Sequence, residues 1–282
     1  MNKFDILTIK KFPKVELHCH LDGSVSGLQV YENVKLLGIN ATKDEILNKI
    51  IAPEICQDLT EYLSCFEWLT KCLKNSTLIF LAIEDICRQA IEENIIYLEL
   101  RFSPYHLSND KFTMKQVVEA VIEAVNKMKD KYPLKIGIIL CLMRGREESI
   151  NNQVIELANQ FRDKIVGLDL AGNESKYPTK MYLKQLAFIK DLEIPFTIHA
   201  GETGNFDNIR DAILTGAKRI GHGIAAKKSE EIVSLIRERD ITLEMCPKCN
   251  IQTKASKNWN DYPFDTFYRK EKLLVTINTD NR

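Results

Sequence analysis

KVELHCH, residues 14–20, is a short run with the apolar character of a buried strand, and it ends in two histidines set two residues apart. Side chains alternate across an extended strand, so His18 and His20 point to one face and Cys19 to the other. Seven further runs rich in Val, Ile and Leu follow it. They lie at 95–102 (IIYLELRF), 135–142 (KIGIILCL), 165–171 (IVGLDLA), 195–200 (PFTIHA), 218–222 (KRIGH), 242–247 (TLEMCP) and 274–280 (LVTINTD), bounded by Gly, Pro, Asn or Asp.

Helical patterns separate these runs. From Thr113 to Met128 the residues Met114, Val117, Val118, Val121, Ile122, Val125 and Met128 recur at the three-and-four spacing of one apolar stripe. Thr113 with Gln116 reads as a capping box at its start, and Thr42 with Glu45 as another. Strands alternating with helices predict a parallel sheet, and eight of them predict closure into a (β/α)₈ TIM-type barrel. No glycine-rich phosphate loop follows the first strand, which removes the usual motive for an open doubly wound sheet. Residues 26–94 are too long for a plain crossover and are read as a helical insertion that caps the barrel mouth. The expected organisation is one barrel domain over residues 1–282, with 26–94 inside it. The sequence stops two residues after Asp280, so either a bare flank on the last strand or a continuation of the chain is expected, since such barrels normally close with a helix.

Composition narrows the function classes. The chain has 282 residues, 39 Lys and Arg against 39 Asp and Glu, and 45% hydrophobic residues. Zero net charge argues against a nucleic-acid partner and against an electrostatic membrane anchor. No secretory signal or bilayer-spanning run is evident, so a cytoplasmic protein is expected. The eight cysteines are read as reduced, mostly buried thiols, and the CPKC at Cys246–Cys249 as coincidental, because no second metal-binding pair accompanies it. GxSxG and P-loop patterns are absent.

The five histidines are 18, 20, 106, 199 and 222, and four of them stand at or near the C-terminal ends of predicted strands. In an α/β barrel those ends converge on one mouth. His18, His20 and His199 with Asp280 supply three imidazoles and a carboxylate, a ligand set that suits zinc. Glu202, between Gly201 and Gly204 in the loop after His199, offers a proton donor or a base, and His222 a group that orients or deprotonates an attacking water. His106 is read as structural or merely near the mouth.

With those residues in view, the chain resembles the adenosine deaminase family of metal-dependent hydrolases. The resemblance rests on ELHCHLDGS (16–24), RFSP (101–104), GLDLAGNE (167–174), IHAGE (198–202), RIGHG (219–223), EMCPKCN (244–250) and INTDN (277–281), in family order over nearly the whole chain. It implies one Zn²⁺ per chain held by His18, His20, His199 and Asp280, with Glu202 protonating a purine ring nitrogen and His222 orienting the attacking water. It also implies substrate contacts from His20, Asp22, Gly172 and Asn281, with Asp22 on a ribose hydroxyl and the Gly172 backbone on the purine. Tyr62, Leu63 and Phe66 resemble the family's apolar lid; a stripe facing the core explains them equally well. Many members carry Asp where this chain has Asn281, and Ser where it has Cys249. The implied reaction is hydrolytic deamination of adenosine and 2′-deoxyadenosine to the inosine products, with a small-molecule purine nucleoside as the partner. Two alternatives remain open: adenine or a modified adenine nucleotide as the substrate, and a catalytically impaired, truncated binding protein.

Overall fold

The computed structural model describes residues 5–282. Eight parallel strands run in chain order: β1 (Lys14–His20), β2 (Ile95–Phe102), β3 (Lys135–Met143), β4 (Gly167–Ala171), β5 (Thr197–Ala200), β6 (Arg219–His222), β7 (Thr242–Met245) and β8 (Leu274–Ile277). They pair as two four-stranded sheets, β1 to β4 and β5 to β8. The sheets meet at two seams. At the first, Leu168 bridges Phe196 and its N–H donates to the Pro195 carbonyl at 2.9 Å. At the second, Cys19 bridges Asp280, His20 N–H donates to the Asp280 carbonyl and Asp280 N–H to the His18 carbonyl, both at 2.9 Å. The strands therefore follow the order expected of a (β/α)₈ barrel, with single bridges where a full ladder would otherwise run. Pro195 gives one reason, because it has no N–H to offer a ladder.

Strand ends depart from expectation where proline or a backbone turn intervenes. The seventh strand stops at Met245 because Pro247 opens the helix Pro247–Gln252 at its first position. The eighth ends at Ile277, and Asp280 follows in a left-handed turn with φ 64°. β4 is buried along its whole length and β3 over all but its ends, as parallel strands covered on both faces should be.

The helix Met114–Lys131 carries the predicted capping box: Gln116 N–H donates to Thr113 Oγ1 at 3.3 Å, and Thr113 N–H to Gln116 Oε1 at 2.8 Å. Its Val117, Val118, Val121, Val125 and Met128 are buried, each worth ~1.5–3 kcal/mol of transfer free energy. The Thr42–Glu45 box is also present. Residues 26–94 fold as Gly27–Leu36, Lys43–Ile50, Leu59–Ser64, Phe66–Lys71 and Ser76–Glu92. The last of these packs on β2 and on Met114–Lys131, as a barrel helix does, so the cap proper is the part before it. Leu274 and Ile277 of β8 are more than half exposed. Among the described residues, no helix is long and apolar enough to cross a membrane.

Candidate active site

The C-terminal strand ends surround a cavity of about 550 Å³. β1 delivers His18 and His20, β5 His199, β6 His222, and the turn after β8 delivers Asp280. His222 and Asp280 both have positive φ, 65° and 64°, a conformation that non-glycine residues adopt sparingly and that cavity-lining positions here require. Gly221 is glycine for a local reason: a Cβ there would stand 2.9 Å from His18 Cε1.

His18 Nε2 lies 3.1 Å from His199 Nε2 and 3.5 Å from Asp280 Oδ1; His20 Nε2 lies 3.2 Å and 3.4 Å from the same two atoms. Ligands held ~2.0–2.1 Å from a zinc ion in a tetrahedron sit roughly 3.3 Å apart, so these spacings are those of a metal cage. The outer ring nitrogens reinforce this. His18 Nδ1 is 2.8 Å from Glu244 Oε2, and His199 Nδ1 is 2.9 Å from Asp169 Oδ2. When both rings are neutral, each can donate its Nδ1–H to its carboxylate, which leaves a lone pair on each Nε2. Two lone pairs facing each other at 3.1 Å have no proton to share, and a cation is what such an arrangement fits. A second group within ligand range, His18, His222, Cys246 and Asp280, shares two residues with the first.

Burial, aided by Arg101 and the neighbouring imidazoles, lowers His18 well below the usual imidazole range, and burial with His199 and Arg101 does the same for His20. His199 goes the other way: burial, the largest influence, opposes its charge, but the charge and hydrogen bond of Asp169 together with the Glu202 charge raise it overall. Beneath the cage lies a ring of buried charge. Arg101 Nη1 donates to Asp169 Oδ2 at 2.9 Å and its Nη2 to Glu244 Oε2 at 2.8 Å, so one guanidinium ties together the two carboxylates that orient the ligands. Arg144 Nη2 donates to the His199 carbonyl at 2.7 Å and steadies the end of β5.

Glu202 is buried on the loop above β5. Burial pushes its carboxyl up to about 8, opposed by His199 and reinforced by Glu174 and Asp280. That loop is held by Glu174, which accepts from the N–H groups of Gly201 (2.8 Å) and Thr203 (2.7 Å) and from Asn208 Nδ2 (3.0 Å). His222 Nε2 lies 3.4 Å from Glu202 Oε2, and burial, aided by His199 and Arg101, lowers its imidazole well below the usual range.

The other sequence-derived positions also reach the cavity: Asp22, Gly172, Asn281, Tyr62, Leu63, Phe66 and His106 all line it. Burial raises the Asp22 carboxyl to about 6. Asn281 Nδ2 donates to the Tyr62 hydroxyl at 2.9 Å, which joins the cap to the last strand's turn. Gly23 leaves room for that amide, since a Cβ would meet Asn281 Oδ1 at 1.6 Å. His106 faces Arg146, with Nη2 3.4 Å from Nε2, and burial with the Arg146 and Lys74 charges lowers it to about 4. All eight cysteines are free and buried, and the Cys246 and Cys249 thiols are raised far above their ordinary range by burial. Sequence reasoning assigned no role to Arg101, Asp169, Glu244, Arg144, Glu174 or Asn250.

A parallel eight-stranded barrel with three imidazoles and a carboxylate converging at its C-terminal mouth defines a metal-dependent hydrolase architecture. The family model for adenosine deaminase matches residues 13–282, and the chain belongs to that family. It is 38% identical to an adenosine deaminase of Enterococcus faecalis over 97% of this chain and 82% of that one. It is 36% identical to an adenosine deaminase of Clostridium perfringens, over 98% and 84%. In fold it is similar to the solved N6-mAMP deaminase of Arabidopsis, with a TM-score of 0.87 at 24% identity over 98% of this chain and 83% of that one.

Proposed function

We propose that the protein hydrolytically deaminates adenosine and 2′-deoxyadenosine, releasing ammonia, and that one Zn²⁺ is held by His18, His20, His199 and Asp280. The observation that carries this reading is a buried carboxyl, Glu202, whose burial favours its protonated form, facing the same cavity as three imidazoles and a carboxylate grouped within ligand range of one ion. When bound, zinc supplies Lewis acidity that makes water nucleophilic near neutral pH. The remaining work falls to side chains. Glu202 gives its proton to the purine ring nitrogen beside the amino-bearing carbon, which makes that carbon electrophilic. His222 orients the attacking water. His20, Asp22, the Gly172 backbone and Asn281 position the nucleoside, with Asp22 on the ribose. Tyr62, Leu63 and Phe66 cover it and exclude water, so residues 1–282 act as one unit with the insertion as its cap. Eight free thiols suit a reducing compartment, which supports a cytoplasmic setting.

Metal-replete protein should abolish the adenine absorbance band of adenosine and deoxyadenosine near neutral pH; no loss with either nucleoside refutes the reading. A second substrate class is favoured by one observation: Lys71, Lys74 and Arg146 also line the cavity, a setting for a phosphate-bearing adenine nucleotide. Asp22 opposes it by charge repulsion. Comparing kcat/KM for adenosine, adenine and AMP decides between them.

A further inference from the structure

Asn250 is fully buried in the helix Pro247–Gln252, and its amide joins two side chains. Nδ2 lies 3.0 Å from His222 Nδ1, and Oδ1 lies 3.2 Å from the Tyr262 hydroxyl. An asparagine presents donors at one end and an acceptor at the other, so the end that faces His222 decides which ring nitrogen carries the proton. Tyr262 breaks the tie. Its hydroxyl donates to Asn250 Oδ1. With Oδ1 so committed, Nδ2–H faces Nδ1, which must hold a lone pair. The single ring proton of neutral His222 then sits on Nε2. That atom is buried, has no aligned hydrogen-bond partner among the described residues, and belongs to a side chain that lines the cavity.

We propose that Asn250, steadied by Tyr262, is a positioning residue that fixes His222 as an Nε2–H donor toward the cavity. His222 then orients the attacking water by donating a hydrogen bond to its oxygen, and does not hold a lone pair ready to take its proton. The backbone makes the device rigid: Asn250 N–H donates to the Cys246 carbonyl at 3.0 Å, and Ser256 N–H to the Asn250 carbonyl at 2.9 Å. The inference rests on the deaminase reading for its catalytic meaning, although the tautomer is measured without turnover.

The chain has only five histidines, so ¹⁵N-histidine labelling with long-range ¹H–¹⁵N correlation resolves each ring, with His222 assigned from its loss in His222→Gln. The metal-loaded wild type is expected to show His222 protonated on Nε2 alone. Asn250→Asp places an acceptor opposite Nδ1 and should transfer the proton there, with kcat reduced at least tenfold and KM within twofold. Tyr262→Phe frees the amide and should give both tautomers, with a smaller loss in kcat. A wild-type His222 protonated on Nδ1 overturns the proposal. So does an Asn250→Asp enzyme with unchanged kcat, or one whose KM changes as much as its kcat. Should the wild type fail to deaminate any adenine compound while showing the Nε2–H form, the deaminase reading fails and the tautomer assignment stands.

Discussion

Replacing Glu202 by Gln should slow turnover severely and stabilise the fold, and the stabilisation should grow with pH. Burial raises this carboxyl from 4.5 to about 8, so the folded protein binds its proton more tightly than the unfolded chain does. Below pH 4.5 both states are protonated and the group costs nothing. Between 4.5 and 8 the unfolded chain loses its proton first, so stability falls as pH rises, at about 1.4 kcal/mol per unit. The accumulated cost is on the order of 3 kcal/mol at pH 7 and 4–5 kcal/mol above pH 8. Glutamine keeps the shape and removes the charge. Denaturant unfolding of both proteins at pH 5, 7 and 9, on chelator-treated samples so that no cation attracts the carboxylate, should show a gap that widens from near zero to several kcal/mol in favour of Glu202→Gln. In the metal-loaded enzyme the variant should lose ~10²–10⁴-fold in kcat, and wild-type kcat/KM should decline above about pH 8 as the proton donor ionises. A gap that stays flat with pH, or undiminished turnover in the variant, refutes the reasoning.

Three other outcomes follow from the same geometry. Arg101→Met takes from buried Asp169 its guanidinium partner and leaves buried Glu244 with Arg219 alone, and should destabilise by ~3–5 kcal/mol in denaturant unfolding while also weakening metal retention. Gly221→Ala drives a methyl against the His18 ring, and metal affinity measured by chelator competition should fall roughly tenfold with little change in secondary structure by circular dichroism. Stripping metal should lower Tm, because paired lone pairs and a buried carboxylate lose their common counter-ion; added Zn²⁺ should restore it, by about 4 kcal/mol at a thousandfold excess over Kd.

The barrel was legible because its strands are short apolar runs with clear punctuation, and the site was legible because histidines cluster at their ends. Asp280 comes to lie beside His18 and His20 even though regular pairing stops at Ile277: it reaches them through a turn that local propensity does not encode. The charged ring beneath the cage was harder to see. Arg101, Asp169 and Glu244 interrupt LELRF, GLDLA and TLEM, apolar runs in which a charge is costly unless paired. That cost was itself a usable signal, but the partners lie 68 and 143 residues away from Arg101, and only the fold brings them together. Ser76–Glu92 was merged with the cap because nothing in its stripe distinguishes a helix lying on β2 from one lying over the mouth.

The seam between β1 and β8 has a consequence for how the molecule is made. Two of the cage's nitrogens come from the first strand, while its carboxylate arrives 260 residues later on the segment that clips to that strand. During synthesis the ion therefore has no complete nest until almost every residue described has emerged. An ion held there would fasten the first strand of the cylinder to the turn after the eighth, so that its uptake and the tightening of that seam would be linked.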